Sequence, residues 1–309
     1  MPDVVLHHYP RSPYAEKIRL ALGLKGFSYH SVIVPSWMPK PDLVPLTGGY
    51  RRTPVMQVGA DVFCDTLAIL RQIERMRPAP SLFPGGSAAV ATVLGWGLER
   101  SLFPPAVGVT IGLHGGSYPR GLIEDRLPFF GFSIEPIDML ARQAVFVDRL
   151  NAQFAWLDGM LGDGRLFLLG SEPSAADLCA YHPLWHLRRN GGEKAMALLP
   201  AMAKLAPWMD RVAAIGHGDP QDLPAPEALA IAARAEPMER KAGAGWLMGL
   251  ELGDQVSMTP DDSGRDPVVG TLLAVSAHSV VLRRTDARLG AINMHFPRAG
   301  FDAALVAGK

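Results

Sequence analysis

Along the first eighty residues, hydrophobic runs typical of strands alternate with apolar residues at helical spacing. Residues 4–9 form a short run rich in β-branched and aromatic side chains, which is typical of a strand. From Pro13 the apolar residues recur at helical spacing, and residues 29–34 form a second strand-like run. Ser12 and Pro13 occupy the two positions at which a helix start favours them. The pattern predicts a strand–helix–strand unit with its two strands in parallel.

The next segment predicts a hairpin followed by a helix. Residues 55–58 and 62–64 are β-type runs on either side of a Gly-containing turn, and a helical pattern follows Asp65 and Thr66. Prolines and glycines between residues 78 and 86 then indicate a break. We therefore expect residues 1–80 to form an α/β domain of βαβ, loop, ββα order, which is the thioredoxin-like arrangement.

The pattern then becomes helical. Residues 88–215 predict an all-helical domain, with helices expected over residues 88–103, 137–161 and 200–215. Ser174, followed three residues later by Asp177, is typical of a capping box. Residues 104–136 are rich in glycine and proline and give no clear assignment.

After residue 215 the hydrophobic pattern changes from helical to strand-like. Residues 216–235 are rich in proline and alanine and are expected to be a linker. Within residues 236–309 the β-type runs at 255–258, 268–274, 279–283 and 291–295 are separated by turn residues. We expect a small all-β, barrel-like module there.

Composition narrows the function classes. Thirty basic and thirty acidic side chains cancel, so we expect neither nucleic acid nor an anionic membrane as a partner. Only two cysteines occur, which excludes a disulfide framework, and we expect a cytoplasmic protein. His182 and His186 have the spacing of a metal pair but no third ligand nearby, so no metal is expected.

Three separated motifs have chemistry suited to one thiol-containing ligand. A hydroxyl at Ser12, where a helix begins, can donate a hydrogen bond to a thiolate and lower the pKa of the thiol. A proline such as Pro54 adopts the cis form cheaply and leaves the backbone of Thr53 free to pair with an extended ligand. Asp65 and Thr66 open a helix, whose N-terminus can hold a carboxylate, and the side chain of Asp65 can hold an ammonium group of the same ligand. Each motif alone also fits a purely structural role.

In order and spacing these motifs resemble the cytosolic glutathione transferases of the serine type. The resemblance is carried by Tyr9-x-x-Ser12-Pro13-Tyr14, Arg52-Thr53-Pro54-Val55, Asp65-Thr66 and Gly170-x-x-x-Ser174-x-x-Asp177. It covers about residues 1–215, and the β-rich tail has no counterpart in the common two-domain family. It implies glutathione as co-substrate, a small electrophile as second substrate and a homodimer.

The resemblance also implies residue roles. Ser12 would hydrogen-bond the glutathione sulfur, and Thr53, before a cis Pro54, would pair with the cysteinyl part. Asp65 and Thr66 would hold the γ-glutamyl end, although the family usually has Glu or Gln followed by Ser at these positions. Lys40, Arg51 or Arg52 would contact the glycyl carboxylate. By location we place five residues in the pocket for the electrophile: Tyr14, Trp96, Arg100, Phe103 and His114.

The sequence thus predicts an enzyme that activates the glutathione thiol for attack on a small electrophile. A glutathione-dependent isomerase or dehalogenase has the same features. The alternative from another class is a non-catalytic binding or regulatory protein that keeps this fold and uses its β-rich tail for interactions. A thiol–disulfide enzyme ranks below both, because Ser12 stands where a cysteine would be needed.

Overall fold

A computed structural model of the chain describes residues 3–200, 203–239 and 249–306. The strands are β1 (Val4–His8), β2 (Ser28–Ile33), β3 (Val55–Val58), β4 (Asp61–Cys64), β5 (Asp219–Asp222), β6 (Gln255–Pro260), β7 (Val268–Val275), β8 (Ser279–Asp286), β9 (Gly290–Pro297) and β10 (Phe301–Leu305). The helices are α1 (Pro13–Leu24), α2 (Val44–Thr47), α3 (Thr66–Met76), α4 (Ala88–His114), α5 (Arg120–Phe130), α6 (Pro136–Ala141), α7 (Gln143–Met160), α8 (Ala175–His186), α9 (Gly192–Met196), α10 (Leu205–Ala213) and α11 (Ala225–Arg234).

The first domain has the predicted thioredoxin-like order. β1 pairs in parallel with β2 and antiparallel with β3, which forms a hairpin with β4. The charged residues of α1 are buried: Glu16, Lys17 and Arg19. Helix α1 is covered on its outer side by α8 of the helical domain. Lys17 pairs with Glu99 of α4, and Glu16 pairs with Arg19 and lies 3.1 Å from His217.

The helical domain is present with different helix bounds. Helix α4 continues through Pro104 and Pro105 to His114, so it is longer than the predicted 88–103. The helix expected over 137–161 is divided at Arg142 into α6 and α7. Of the helix expected over 200–215, the described part runs from Leu205 to Ala213, and residues 201 and 202 lie outside the described residues.

Asp177 is the central polar group of this domain. Its side chain is fully buried and accepts hydrogen bonds from the backbone N–H of Ser174 (2.9 Å), the hydroxyl of Ser174 (2.7 Å), the N–H of Leu168 (2.7 Å) and Nε1 of Trp208 (2.9 Å). The predicted capping box therefore forms, and it also fixes a loop and a buried tryptophan of α10.

Residues 216–235, expected as a linker, contain both a strand and a helix. β5 pairs in parallel with β2 at the edge of the first domain's sheet. Helix α11 packs behind it, with Ala228 and Leu229 buried. The proline-rich composition of this segment hid a short edge strand, where proline is tolerated.

The C-terminal β strands follow and are joined to the first domain. The strand order is β10-β6-β7-β8-β9-β4-β3-β1-β2-β5, and β9 pairs in parallel with β4. Val62 on β4 and Phe296 on β9 belong to one apolar cluster shared by the two parts. The side chains of His295 and Asp61 meet at 2.6 Å beside it. The expected β module is therefore present, and its strands continue the thioredoxin-like sheet, a connection that sequence patterns did not predict.

Among the described residues, every helix is too short or too polar to cross a lipid bilayer.

Candidate functional site

A cleft of about 680 Å³ lies between the first domain and the helical domain. Twelve of the thirteen residues that we predicted for the site line it: Ser12, Tyr14, Lys40, Arg51, Arg52, Thr53, Pro54, Asp65, Thr66, Trp96, Arg100 and Phe103. The structure thus brings together three motifs that lie between residues 12 and 66 of the sequence.

His114 is the predicted residue that the structure does not bring to the cleft. It ends α4, and its Nε2 lies 2.7 Å from the carbonyl oxygen of Gly191. The prediction assumed that the helix ended near Phe103. Because α4 is longer, its end lies well away from the positions that face the cleft.

Ser12 sits at the start of α1 with its side chain turned into the helix end. It is 1% exposed, and its Oγ accepts a hydrogen bond from the N–H of Ala15 at 3.2 Å. Within residues 3–200, 203–239 and 249–306, no acceptor lies within hydrogen-bond distance of the hydroxyl proton. The hydroxyl is therefore held in place as an acceptor and keeps its proton for a group in the cleft.

The backbone before Pro54 is open to a ligand. The Thr53–Pro54 peptide bond is cis. In the described part of the chain, neither the N–H nor the carbonyl of Thr53 has a hydrogen-bond partner. The Thr53 hydroxyl accepts a hydrogen bond from Nζ of Lys40 at 2.7 Å, and the same ammonium donates to the carbonyl of Arg51 at 2.8 Å. Burial and the charges of Arg126 and Arg51 lower the pKa of Lys40 to about 7.

Asp65 caps α3 in an unusual backbone conformation. Its φ of 75° is in the left-handed region, which favours glycine. The carboxylate accepts the N–H of Leu67 at 2.9 Å and lies 3.8 Å from a guanidinium nitrogen of Arg52. Burial raises the pKa of Asp65, while the Arg52 charge and the Leu67 N–H act in the opposite direction. Such strain, held by a tight local structure, is common at ligand sites.

An ion pair in the floor of the cleft was missed by sequence reasoning. Lys17 of α1 binds Glu99 of α4, and Nε2 of His182 lies 2.9 Å from the same carboxylate. Burial alone would raise the pKa of Glu99, but Lys17 and His182 outweigh it and hold that pKa at about 2. Burial lowers the pKa of His182 despite Glu99. A lysine in an amphipathic helix usually faces solvent, so periodicity gave no signal for this pair.

The helical side of the cleft is aromatic. The ring of Tyr14 packs edge-on against Phe103, with centroids 4.9 Å apart, and against His182 at 4.6 Å. Burial, with Glu99 nearby, raises the pKa of Tyr14 well above its ordinary value, so the phenol keeps its proton. Arg100 stacks on Trp96, 4.1 Å from the ring centroid. Further apolar lining comes from Phe129, Phe130, Phe132, Ile134, Met139 and Phe146.

The C-terminal module contributes to the same cleft. Asp262 and Ser263, from the connection between β6 and β7, and Gly300, which precedes β10, are lining residues. Arg52 pairs with Asp262, and its Nε donates to the carbonyl of Ser263 at 2.9 Å. No sequence signal linked residues more than two hundred positions apart.

Both cysteines are free and buried. Cys64 is fully buried, and burial raises the pKa of its thiol far above the ordinary value. Cys179 is 7% exposed, and burial together with the charge of Glu99 raises the pKa of its thiol well above the ordinary value. Neither is a thiolate at neutral pH, which argues against thiol–disulfide chemistry by this chain. In the described part of the chain, no three His, Cys, Asp or Glu side chains cluster as metal ligands would.

Comparisons with known proteins decide the family. A glutathione S-transferase N-terminal domain model matches residues 6–81, and a glutathione S-transferase C-terminal domain model matches residues 122–211. A GST-like protein from Pseudomonas syringae, known as a crystal structure, is 33% identical over 99% of this chain and 100% of its own, with a TM-score of 0.76. The chain belongs to the glutathione S-transferase family.

Other solved glutathione S-transferases share the fold. A Tau class enzyme from mango is 19% identical and covers 69% of this chain and 89% of its own, with a TM-score of 0.53. Poplar glutathione transferase F1 is 17% identical over 69% of this chain and 93% of its own, also with a TM-score of 0.53. A search of curated proteins gave no match.

The known structures differ in how much of this glutathione S-transferase family member they match. The mango and poplar proteins match a share of the chain that is close to its first two domains. The Pseudomonas syringae protein matches nearly all of it, so that protein also has a counterpart of the C-terminal strands. Glutathione is the co-substrate of the family, and the cleft lies between the two domains that all these relatives share.

Proposed function

We propose that this protein is a glutathione transferase whose cleft binds glutathione and activates its thiol for attack on a small electrophile. The observation that carries the proposal is convergence: Ser12, the open backbone of Thr53 and the N-terminus of α3 line one cleft. Each suits a different part of a γ-glutamyl tripeptide, namely the sulfur, the cysteinyl backbone and the γ-glutamyl carboxylate.

Ser12 is the proposed catalytic residue. Its free hydroxyl proton donates to the glutathione sulfur, and a hydrogen bond to the charged form lowers the pKa of a thiol. The N-terminus of α1 adds a partial positive charge close to the same atom. The proton leaves the thiol to solvent, the sulfur forms a bond to the electrophilic carbon, and the leaving group departs with its electron pair.

Charges at the two ends of the cleft suit the two ends of glutathione. Around Lys40 lie Arg51 and Arg126, whose charges are partly balanced by Asp125, and this basic end suits the glycyl carboxylate. At the other end, the α3 N-terminus at Thr66 offers N–H groups to the γ-glutamyl carboxylate.

The electrophile is proposed to bind against the helical domain. Tyr14, Phe103 and Trp96 form an aromatic wall there, which favours flat or apolar molecules. Homodimerisation and a cytoplasmic location stay predictions.

The proposal is tested by binding and by turnover in the same preparation. Retention on immobilised glutathione, a melting temperature raised by millimolar glutathione, and conjugation of an aryl chloride together support it. Binding without turnover of any electrophile or peroxide tested would favour the non-catalytic alternative. Absence of glutathione binding would contradict the proposed enzyme.

Lys40 predicts how glutathione affinity depends on pH. Because burial and neighbouring arginines hold the pKa of Lys40 at about 7, the side chain is charged below pH 7 and increasingly neutral above it. A carboxylate ligand binds the charged form, so the affinity for S-methylglutathione should fall as the pH rises from about 6 to about 8. Isothermal titration in buffers of different ionisation enthalpy should show proton uptake on binding.

The matched control is Lys40→Met, which keeps an unbranched side chain one atom shorter than lysine and removes the charge. Its affinity for S-methylglutathione should be weaker than that of the wild type at pH 6 and nearly flat over the same range. An equal slope in the two proteins would show that another group causes the pH dependence. S-methylglutathione is used because it has no thiol of its own to titrate.

A further inference from the structure

The connection between β6 and β7, residues 261–267, packs into the cleft instead of away from it. We call it the β6–β7 loop. Oδ1 of Asp261 lies 2.7 Å from Arg100 of α4, and Asp262 pairs with Arg52 of the first domain. The N–H of Gly264 donates to the carbonyl of Phe129 in α5 at 2.6 Å. The loop is therefore fixed to both domains that form the cleft.

Gly264 shows how closely the loop approaches the helical domain. Its φ is +55°, and a Cβ at this position would lie 2.8 Å from the ring of Phe129. Gly300, beside the loop, approaches Trp96 to the same distance with φ +87°. Both positions need glycine for backbone conformation and for space. The C-terminal module thus meets the cleft by close packing and not only through long side chains.

The charges that the loop brings are unbalanced. Arg52 is placed between two carboxylates: Asp262, which it binds directly, and Asp65, which lies 3.8 Å away. One guanidinium cannot neutralise two ionised carboxylates. Two further cations line this part of the cleft, and both are already paired: Lys17 with Glu99 and Arg100 with Asp261. This end of the cleft therefore carries excess negative charge, which suits a cationic group of a ligand.

Asp65 alone is poorly placed to bind a cationic group of a ligand. Its carboxylate already accepts the N–H of Leu67 as the cap of α3. Oδ1 of Asp262 accepts hydrogen bonds from the N–H of Ser263, at 2.7 Å, and from Arg52, and within the described residues its Oδ2 has no hydrogen-bond partner. Arg52 keeps its hydrogen bonds to the carbonyl of Ser263 if Asp262 changes partner. The carboxylate of Asp262 lines the cleft itself.

We propose that Asp262 of the C-terminal module recognises the ammonium group of the γ-glutamyl end, so that this module is part of the glutathione site. The proposal rests on glutathione being the ligand. It makes Asp262 a specificity-determining residue, which selects thiol peptides with a free α-amino group over those in which that group is acylated.

The test compares two ligands and two variants. Dissociation constants are measured calorimetrically for glutathione and N-acetylglutathione with the full-length wild type, Asp262→Asn and Asp266→Asn. The asparagine variants keep shape and remove charge. Asp266 is the matched control because it lies in the same loop but faces Arg51 at 3.8 Å and is about half exposed.

In the wild type, glutathione should bind at least about tenfold more tightly than N-acetylglutathione, since a charge-assisted hydrogen bond is lost on acylation. Asp262→Asn should lose most of this preference by weakening glutathione binding alone, and Asp266→Asn should keep it. A wild-type preference that Asp262→Asn retains would overturn the proposal, and so would equal weakening of both ligands. Failure of the wild type to bind either ligand would overturn the proposed function, and this inference with it.

Discussion

Replacing Ser12 with alanine is expected to lower kcat/KM for glutathione conjugation by roughly 10²-fold, the effect typical of removing one preorganised donor to a developing or stabilised anion. The physical reason is that the Ser12 hydroxyl is fixed by the Ala15 N–H and has its proton available for the sulfur. The measurement is steady-state kinetics with an activated aryl chloride at saturating glutathione and at several pH values. The loss should be largest near neutral pH and shrink at high pH, where glutathione ionises without help.

The same substitution removes a helix cap, so a second variant separates the two effects. At an N-cap, serine to alanine costs about 1 kcal/mol of stability, whereas glycine costs only a few tenths. Ser12→Gly should therefore be more stable than Ser12→Ala and just as inactive. Activity that recovers in the glycine variant would show that Ser12 matters through helix α1 and not through the thiolate.

Replacing Asp177 with alanine is expected to destabilise the protein by about 4 kcal/mol, because several buried donors lose their acceptor at once. The donors are the N–H groups of Leu168 and Ser174, the Ser174 hydroxyl and the indole N–H of Trp208, which is fully buried. Urea denaturation followed by tryptophan fluorescence measures the change.

Asp210→Ala is the matched control, because it removes a carboxylate from neighbouring helix α10. Asp210 is paired with Arg188, and both side chains are about half exposed or more. Exposed pairs of this kind contribute less than about 1 kcal/mol. Similar losses in the two variants would contradict the view of Asp177 as the polar centre of the domain.

Local patterns predicted the parts of the fold that depend on local structure. The βαβ–ββα order, the capping box at Ser174 and four of the five C-terminal strands follow from hydrophobic period, turn residues and caps. The predictions that failed concern positions where contacts with distant elements outweigh the preference of the local sequence. Pro104 and Pro105 read as a break but lie inside α4.

In the candidate site, too, sequence predicted the residues with local roles and missed those held by distant contacts. Ser12, Thr53 and Asp65 were found because each has a local role, as a helix cap or before a proline, that sequence alone indicates. Glu99, Lys17 and Asp262 were missed because an ion pair between distant elements leaves no mark on either partner's surroundings in the sequence. The parallel pairing of β9 with β4 could not be predicted from sequence for the same reason, since each strand alone has the pattern of an ordinary half-buried strand.

The central claim is that Ser12 lowers the pKa of the glutathione thiol bound in the cleft. The measurement is the ultraviolet absorbance of the thiolate, titrated with pH for glutathione bound to the wild type and to Ser12→Ala. We expect the midpoint in the wild type to lie at least about one unit below the ordinary thiol pKa of about 8.5, and the midpoint in Ser12→Ala to return towards that value. A bound thiol that titrates at its ordinary pKa in the wild type, or at the same shifted pKa in both proteins, would contradict the assignment of Ser12 as the residue that activates glutathione.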